Sequence, residues 1–244
     1  MEEDIRYIRN RWLNKPYKYI AIHYKKQWLH YQRRKGDTPM NIRKLKIIDM
    51  PKLESPFVRK IVGKNYDVTP EIQEGYEWVF EDDNVAAIEK LHGTNCSVLI
   101  IEGQVTEMYN RTERVPFINK GKAHITHAIL NSKKRGYLEF LGDGQHFGEV
   151  IGPKINGNPY KLEDPLFIPF GTYCQKHLRY KSWGQYPKDF DTISNWFEND
   201  LFSLFNRMRK TNSDFVEGIV FTHPDGRMAK LRRDMFSWFK GRRH

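Results

Sequence analysis

Cysteine is nearly absent. The two residues present, Cys96 and Cys174, cannot build a disulfide framework, and no CxxC or Cys/His cluster has the spacing that holds zinc. Both are expected to be reduced thiols in or near the core. Long apolar runs are missing as well, since no stretch approaches the roughly 20 residues needed to cross a bilayer. The N-terminal Met-Glu-Glu-Asp lacks the basic-then-apolar order of a signal peptide. The expectation is a soluble, cytoplasmic chain with no membrane partner. No internal repeat or low-complexity tract is present, which excludes a solenoid. Disorder is excluded by a hydrophobic content of 39% and an aromatic content of 14%, so the negative mean hydropathy reflects abundant charge.

That charge is unevenly placed. The chain carries a formal net charge of +11, and residues 1–64 hold 17 Lys and Arg against 6 Asp and Glu, whereas residues 65–244 hold 24 of each. A localised cationic excess favours a polyanion through phosphate neutralisation and counterion release, so nucleic acid is the expected partner. Within this region, Asp4 to Lys35 interleaves cations with Tyr7, Trp12, Tyr17, Tyr19, Tyr24, Trp28 and Tyr31, and its apolar spacing predicts two short helices on either side of Pro16. Such an arm can pair phosphates with Lys and Arg and stack bases on its rings. The same pattern suits a helical hairpin docked on the main domain, and the sequence leaves both readings open.

Four segments are expected: a basic, aromatic-rich helical extension over 1–38, a loop-rich lead-in over 39–83 packed on the core, a core over 84–234, and a basic tail over 235–244. Turn-forming residues punctuate the lead-in, among them Gly36-Asp37-Thr38-Pro39, Ser55-Pro56 and Gly63-Lys64-Asn65. From Asn84 the pattern changes to short β-prone runs at 85–88, 96–101, 104–109, 137–140, 146–151, 166–170, 215–221 and 228–231, separated by turn residues. A single helix is expected among them, starting at Asp191-Thr192 and carrying an apolar stripe from Ile193 to Met208. Strand runs with an inserted helix predict an α+β fold with mainly antiparallel sheets.

Several of these strands end in short polar runs that could carry chemistry. Glu89-Lys90-Leu91-His92-Gly93-Thr94-Asn95 puts a lysine at a strand end, entering a glycine-containing turn. Further on come Asn110-Arg111-Thr112, Phe147-Gly148-Glu149-Val150-Ile151-Gly152, Glu217-Gly218-Ile219-Val220-Phe221 and Met228-Ala229-Lys230-Leu231-Arg232. In this order the runs resemble motifs I, Ia, III, IV and V of the covalent nucleotidyltransferase superfamily, which contains DNA ligases, RNA ligases and mRNA capping enzymes. Where the DNA ligases and capping enzymes usually have aspartate this chain has His92, so motif I resembles that of the ATP-dependent RNA ligase 2 class. The resemblance covers about Asn84 to Arg233, and it implies a nucleotidyltransferase (ATP-grasp-like ligase adenylation) domain.

The resemblance implies three steps. Lysine attacks the α-phosphate of ATP to give lysyl-AMP and pyrophosphate, AMP passes to an RNA 5′-phosphate, and a 3′-hydroxyl displaces AMP. It assigns Lys90 as nucleophile, Lys230 to the α-phosphate with Arg232 beside it, and Glu217 to the divalent metal, Mg2+ or Mn2+, and the phosphate region. Glu149 is assigned to the ribose hydroxyls, Arg111 to the sugar or the incoming RNA end, and His92 and Asn95 to sealing and to positioning the lysine. The backbone around Glu89 and the Glu89 side chain are expected to read the adenine edge, and an aromatic of Asn158-Pro159-Tyr160 or Leu166-Phe167-Ile168-Pro169-Phe170, with Tyr160 favoured, to cover the ring. The chemistry fits the residue types. A lysine with a reference pKa of about 10.4 must lose its proton to act as a nucleophile, and neighbouring cations favour that loss. A two-residue strand period sends Lys230 and Arg232 to one face, where both can meet one phosphate.

The chain departs from these relatives at its end. DNA ligases and capping enzymes carry a barrel after motif V, and the residues after Asp234 are too few to form one. The partners expected are ATP and RNA, single-stranded or in a duplex, with the basic first 64 residues supplying the RNA grip. The competing readings are a GTP-using capping-type transferase and a non-catalytic RNA-binding relative.

Overall fold

The computed structural model describes residues 46–118 and 121–241. The expected helical extension over 1–38 and the tail cations Arg242 and Arg243 lie outside them. Among the described residues the fold is α+β, with three sheets whose strands pair antiparallel throughout. Strands β1 (Phe57–Val62) and β2 (Asn65–Ile72) form a hairpin. A short helix α1 (Trp78–Glu81) leads to β3 (Ala86–Lys90). The last two strands, β9 (Gly218–Thr222) and β10 (Met228–Arg232), complete a three-stranded sheet with β3 in the order β10-β9-β3. The second large sheet holds β4 (Thr94–Ile101), β5 (Gln104–Asn110), β6 (Glu113–Arg114), β7 (Gly144–Ile151) and β8 (Leu166–Pro169) in the order β6-β5-β4-β7-β8.

Each sheet buries apolar residues on both faces, so each needs two covers. Helix α2 (Ala123–Lys134) covers the outer face of the five-stranded sheet, packing Ile125, Ala128 and Ile129 on Cys96, Val98, Ile100 and Phe167. The outer face of the three-stranded sheet packs Ile219, Phe221 and Leu231 against Phe57 of the hairpin, and against Phe197 and Phe236. Between the sheets lies a third layer of Ile88, Leu91, Ile151, Tyr160, Leu166 and Ile168. Both cysteines are buried and free. No helix among the described residues is long and apolar enough to cross a membrane.

Three local expectations need correction. Residues 137–140 are not a strand: they close the C-terminal end of α2, where Tyr137 N–H bonds the Ser132 carbonyl at 3.0 Å and Leu138 turns into the core. The helix before them was hidden by polar residues, although Ile125, Ala128, Ile129 and Ser132 bury one face at helical spacing. The helix expected from Asp191 to Met208 is two pieces. After α3 (Gln175–His177), α4 (Phe190–Asn195) starts on an Asp189 cap and runs into a wider turn over Trp196–Asp200. The chain then extends through Leu201 and Ser203, and α5 (Leu204–Met208) begins on a Ser203 cap. A serine cap that must also reach a partner on β3 breaks what the apolar stripe alone would continue. The lead-in, expected to be rich in loops, contains the β1–β2 hairpin, with Phe57 in the core.

Gly148 marks the closest approach of β7 to β8, since a Cβ there would lie 2.6 Å from the Ile168 carbonyl oxygen and from the Phe167 ring. Gly148→Ala is therefore expected to destabilise the fold by about 1–3 kcal/mol, the usual range for overpacking a filled core. A urea midpoint equal to that of the wild type would contradict this.

Candidate active site

Strand register builds the site. Strand β9 pairs with β3 on one side and β10 on the other, so Lys90, Gly218 and Arg232 form one row, and Ile88, Val220 and Lys230 the next. Residues two apart share a face. Lys90, Lys230 and Arg232 therefore stand on the face whose Ile88 packs into the layer between the sheets. Across that layer, Asn95 and Glu149 are direct partners on β4 and β7. They share the face that carries Ile151, which also packs into the layer. Three cations from one sheet thus face an amide and a carboxyl from the other.

Glu217, just before β9, joins the set. Its Oε1 lies 2.9 Å from Lys90 Nζ and its Oε2 3.6 Å from His92 Nδ1. Burial would raise its pKa, yet the His92 hydrogen bond and the Lys90 charge hold it below the ordinary carboxylate value. Glu149 behaves oppositely. Burial lifts it to about 7 and the nearby Glu217 charge adds to the rise, against the pull of Lys90. Lys230 is lowered, first by burial and then by the charges of Arg232 and Lys90. Arg232 is steadied by Asp234, with Nε 3.1 Å from Oδ1.

The turn after Lys90 is fixed from several sides. His92 N–H donates to the Tyr160 hydroxyl at 2.7 Å, and Asn156 Nδ2 donates to the Gly93 carbonyl at 2.7 Å. A Cβ on Gly93 would come within 2.2 Å of the Val150 carbonyl oxygen, so the turn rests directly on β7. On the same sheet, Asn95 Oδ1 is buried with no hydrogen-bond partner among the described residues. Arg111, at the end of β5, pairs its Nε with Asp49 at 2.9 Å, and its own N–H reaches the Asn95 carbonyl at 3.4 Å. It stands at the rim of the site, away from Lys90's own strand.

Two of the expected residues have other work. Tyr160 is fully buried, edge-on to Phe205 and Phe215, and its hydroxyl is spent on the His92 turn. A ring with no exposed face cannot cover an adenine. Glu89 points to the face of β3 opposite Lys90. Its carboxyl accepts from the Ser203 hydroxyl and from Phe205 N–H, which ties β3 to the start of α5. Burial raises the Glu89 pKa to about 7 against those hydrogen bonds. Its side chain is therefore not available to read a base. Sequence reasoning missed Ser203 and Asn156 as supports, because their partners lie 114 and 63 residues away and no local pattern marks them.

Among the described residues no cluster of three or more His, Cys, Asp or Glu side chains could cage a metal ion. The carboxylates on hand, Glu217 and the nearby Glu149 whose pKa it raises, suit an ion held largely by substrate phosphates, which is the way magnesium is commonly bound.

A raised carboxyl pKa weakens the fold as pH rises. Below about 4.5 both folded and unfolded states are protonated. Between about 4.5 and about 7 the folded state holds protons that the unfolded state has lost, so stability falls across this window and then levels. Glu89→Gln removes one of the two contributors, and its unfolding free energy should fall less steeply between pH 5 and pH 7.5. Parallel profiles for wild type and variant in urea titrations would refute the assignment.

Among solved structures, the chain is similar to the RNA ligase of Naegleria gruberi. A mutant of that ligase with ATP and Mn shows 16% identity over 83% of this chain and 68% of that one, with a TM-score of 0.40. The same ligase with pyrophosphate shows 17% identity over 80% of this chain and 61% of that one, with a TM-score of 0.46. Comparison with curated proteins finds no match. Residues 83–240, which hold every strand from β3 to β10, match the RNA ligase family model, and the chain belongs to the RNA ligase family.

Proposed function

We propose that this chain is an ATP-dependent RNA ligase that joins RNA 5′-phosphate and 3′-hydroxyl ends through lysyl-AMP on Lys90 and an RNA-adenylate. The observation that carries this reading is the Lys90–Glu217 pair, at 2.9 Å, on the sheet face that Lys90 shares with Lys230 and Arg232. A solvated surface lysine has no reason to sit against a buried carboxylate among other cations. A nucleophile does, because Glu217 holds Nζ in place while the charges of Lys230 and Arg232 favour loss of its proton.

In the first step the Lys90 nitrogen bonds to the α-phosphorus of ATP while the bond from that phosphorus to the bridging oxygen breaks. Lys90 attacks as the neutral amine once its ammonium proton is lost to solvent. The electron pair leaves with pyrophosphate, and that pyrophosphate takes up the proton displaced from Nζ as the N–P bond forms. Lys230 and Arg232 offset the phosphate charge, and preorganised cations of this kind do so without having to rearrange. A divalent cation, Mg2+ or Mn2+, held by Glu217 and the phosphates would neutralise further charge there. Glu149 would accept from the ribose hydroxyls, and the open Asn95 Oδ1 offers a second acceptor beside it. His92, on the turn after the nucleophile, and Arg111, at the rim, would meet the RNA ends in the later steps. Cations of the N-terminal arm, residues 1–35, would grip the RNA backbone, in single strands or in a duplex.

Incubation with α-labelled ATP and magnesium, followed by denaturing electrophoresis, tests the first step. Label should appear on the wild type and be absent from Lys90→Ala, and Lys230→Ala should label about 100-fold more slowly, the scale for losing one preorganised charge contact. An unlabelled wild type would end the ligase reading. Deleting residues 1–35 should leave labelling intact and weaken RNA joining with a reduced salt dependence. Joining that is unchanged across a salt series would remove the arm from the mechanism.

A further inference from the structure

The cations of β10 have a neighbour that comes from outside the matched motifs. Strand β10 is an outer strand of its sheet, and the lead-in lies along it, with Lys230 N–H donating to the Glu54 carbonyl at 2.9 Å. The Glu54 side chain makes a second connection, since its carboxylate accepts from Arg59 Nη2 at 3.1 Å. Two residues before Arg59, Phe57 is anchored in the core and its N–H is held by the Ser55 hydroxyl at 3.1 Å. The start of β1 is therefore pinned, and Arg59 is carried beside Lys230 with about a third of its side chain exposed (34%). The Arg59 charge reaches the Lys230 ammonium and opposes it, as the charges of Arg232 and Lys90 do.

Fixing an arginine near Lys230, which already feels Arg232 and Lys90, costs electrostatic energy unless an anion joins them. Lys90 is matched by Glu217 and Arg232 by Asp234. Arg59 has Glu54, in an exposed pair of the kind that contributes little and exchanges readily. Arg111, the other arginine near the site, is on the five-stranded sheet with Asp49. Lys52 also reaches Glu54, at 3.8 Å, but is 79% exposed; the less exposed Arg59 guanidinium, at 3.1 Å, is the better held of the two, and its fork suits phosphate oxygens.

We propose that Arg59 contacts the substrate directly, binding the β- and γ-phosphates of ATP and carrying the charge of pyrophosphate as it leaves. This deepens the proposed function and rests on it. As the Lys90 N–P bond forms and the bond from the α-phosphorus to the bridging oxygen breaks, negative charge grows on the departing pyrophosphate. Arg59 exchanges Glu54 for those oxygens, while the α-phosphate stays with Lys230.

Three readouts test this on the full chain. Arg59→Ala should weaken binding of inorganic pyrophosphate to the unadenylated protein, measured by calorimetry, by tenfold or more. It should slow lysyl-AMP formation by a similar factor and leave joining of pre-adenylated RNA at the wild-type rate, with Arg59→Lys recovering part of the loss. Glu54→Gln frees Arg59 without removing its charge and should retain pyrophosphate binding. Wild-type pyrophosphate affinity in Arg59→Ala overturns the proposal, and so does an equal loss in Glu54→Gln, which would trace the effect to packing of the lead-in. A wild type that takes no label from ATP refutes the ligase reading instead, and the pyrophosphate titration still decides the role of Arg59.

Discussion

Strand β9 hydrogen-bonds to β3 on one side and to β10 on the other, and this double antiparallel register is what the site depends on. It sets Lys90, Gly218 and Arg232 in one row although they are far apart in sequence. A slip of one residue in either pairing would turn Lys90 or the pair Lys230 and Arg232 to the opposite face. The apolar residues hold the register. Ala87, Ile219, Phe221, Ala229 and Leu231 fill the outer core while Ile88 fills the layer between the sheets, so a slip would also bury charge. The packing that stabilises the sheet therefore aims the cations.

Three buried glutamates show how environment divides roles among identical groups. Glu217 has a lysine and a histidine against it and is held ionised below the ordinary carboxylate value. Glu149 feels a lysine on one side and a carboxylate on the other, and burial prevails, lifting it to about 7. Glu89 has only hydroxyl and amide donors and is lifted to about 7 as well. Its task is structural, since it fixes α5 to β3 on the side away from the site. That fixation also supports the turn after Lys90, because Phe205 of α5 packs on Tyr160, whose hydroxyl holds His92 N–H.

The lead-in belongs to the same machinery. Ile48 exchanges two backbone hydrogen bonds with the Gln145 side chain, at 3.1 and 2.8 Å. Met50 meets Asn95 and Asp49 meets Arg111. Glu54 then takes the edge of β10. The stretch over residues 46–55, ahead of the β1–β2 hairpin, thus touches both sheets and ties the two halves of the site together. Burying its backbone required partners, and side chains of the core strands provide them.

Read alone, the sequence determined the α+β class and most of the strand positions, because period-two apolar patterns and turn residues are local signals. It also identified the ordered runs that contain Lys90, Arg111, Glu149, Glu217 and Arg232, since each is a short segment whose residue types and order are visible without coordinates. It failed where a position depends on distant partners. The helix at Ala123–Lys134 was masked by polar residues, and Ser203 interrupts an apolar stripe for the sake of Glu89. Glu89 and Tyr160 sit within or near the motif runs, yet the fold turns them into the interior. Only the tertiary structure decided which side of a strand faces the other sheet, and so which carboxylate meets Lys90 and which is buried away from it. That choice rests on register and packing between segments more than 100 residues apart, for which no local pattern in the chain can carry the information.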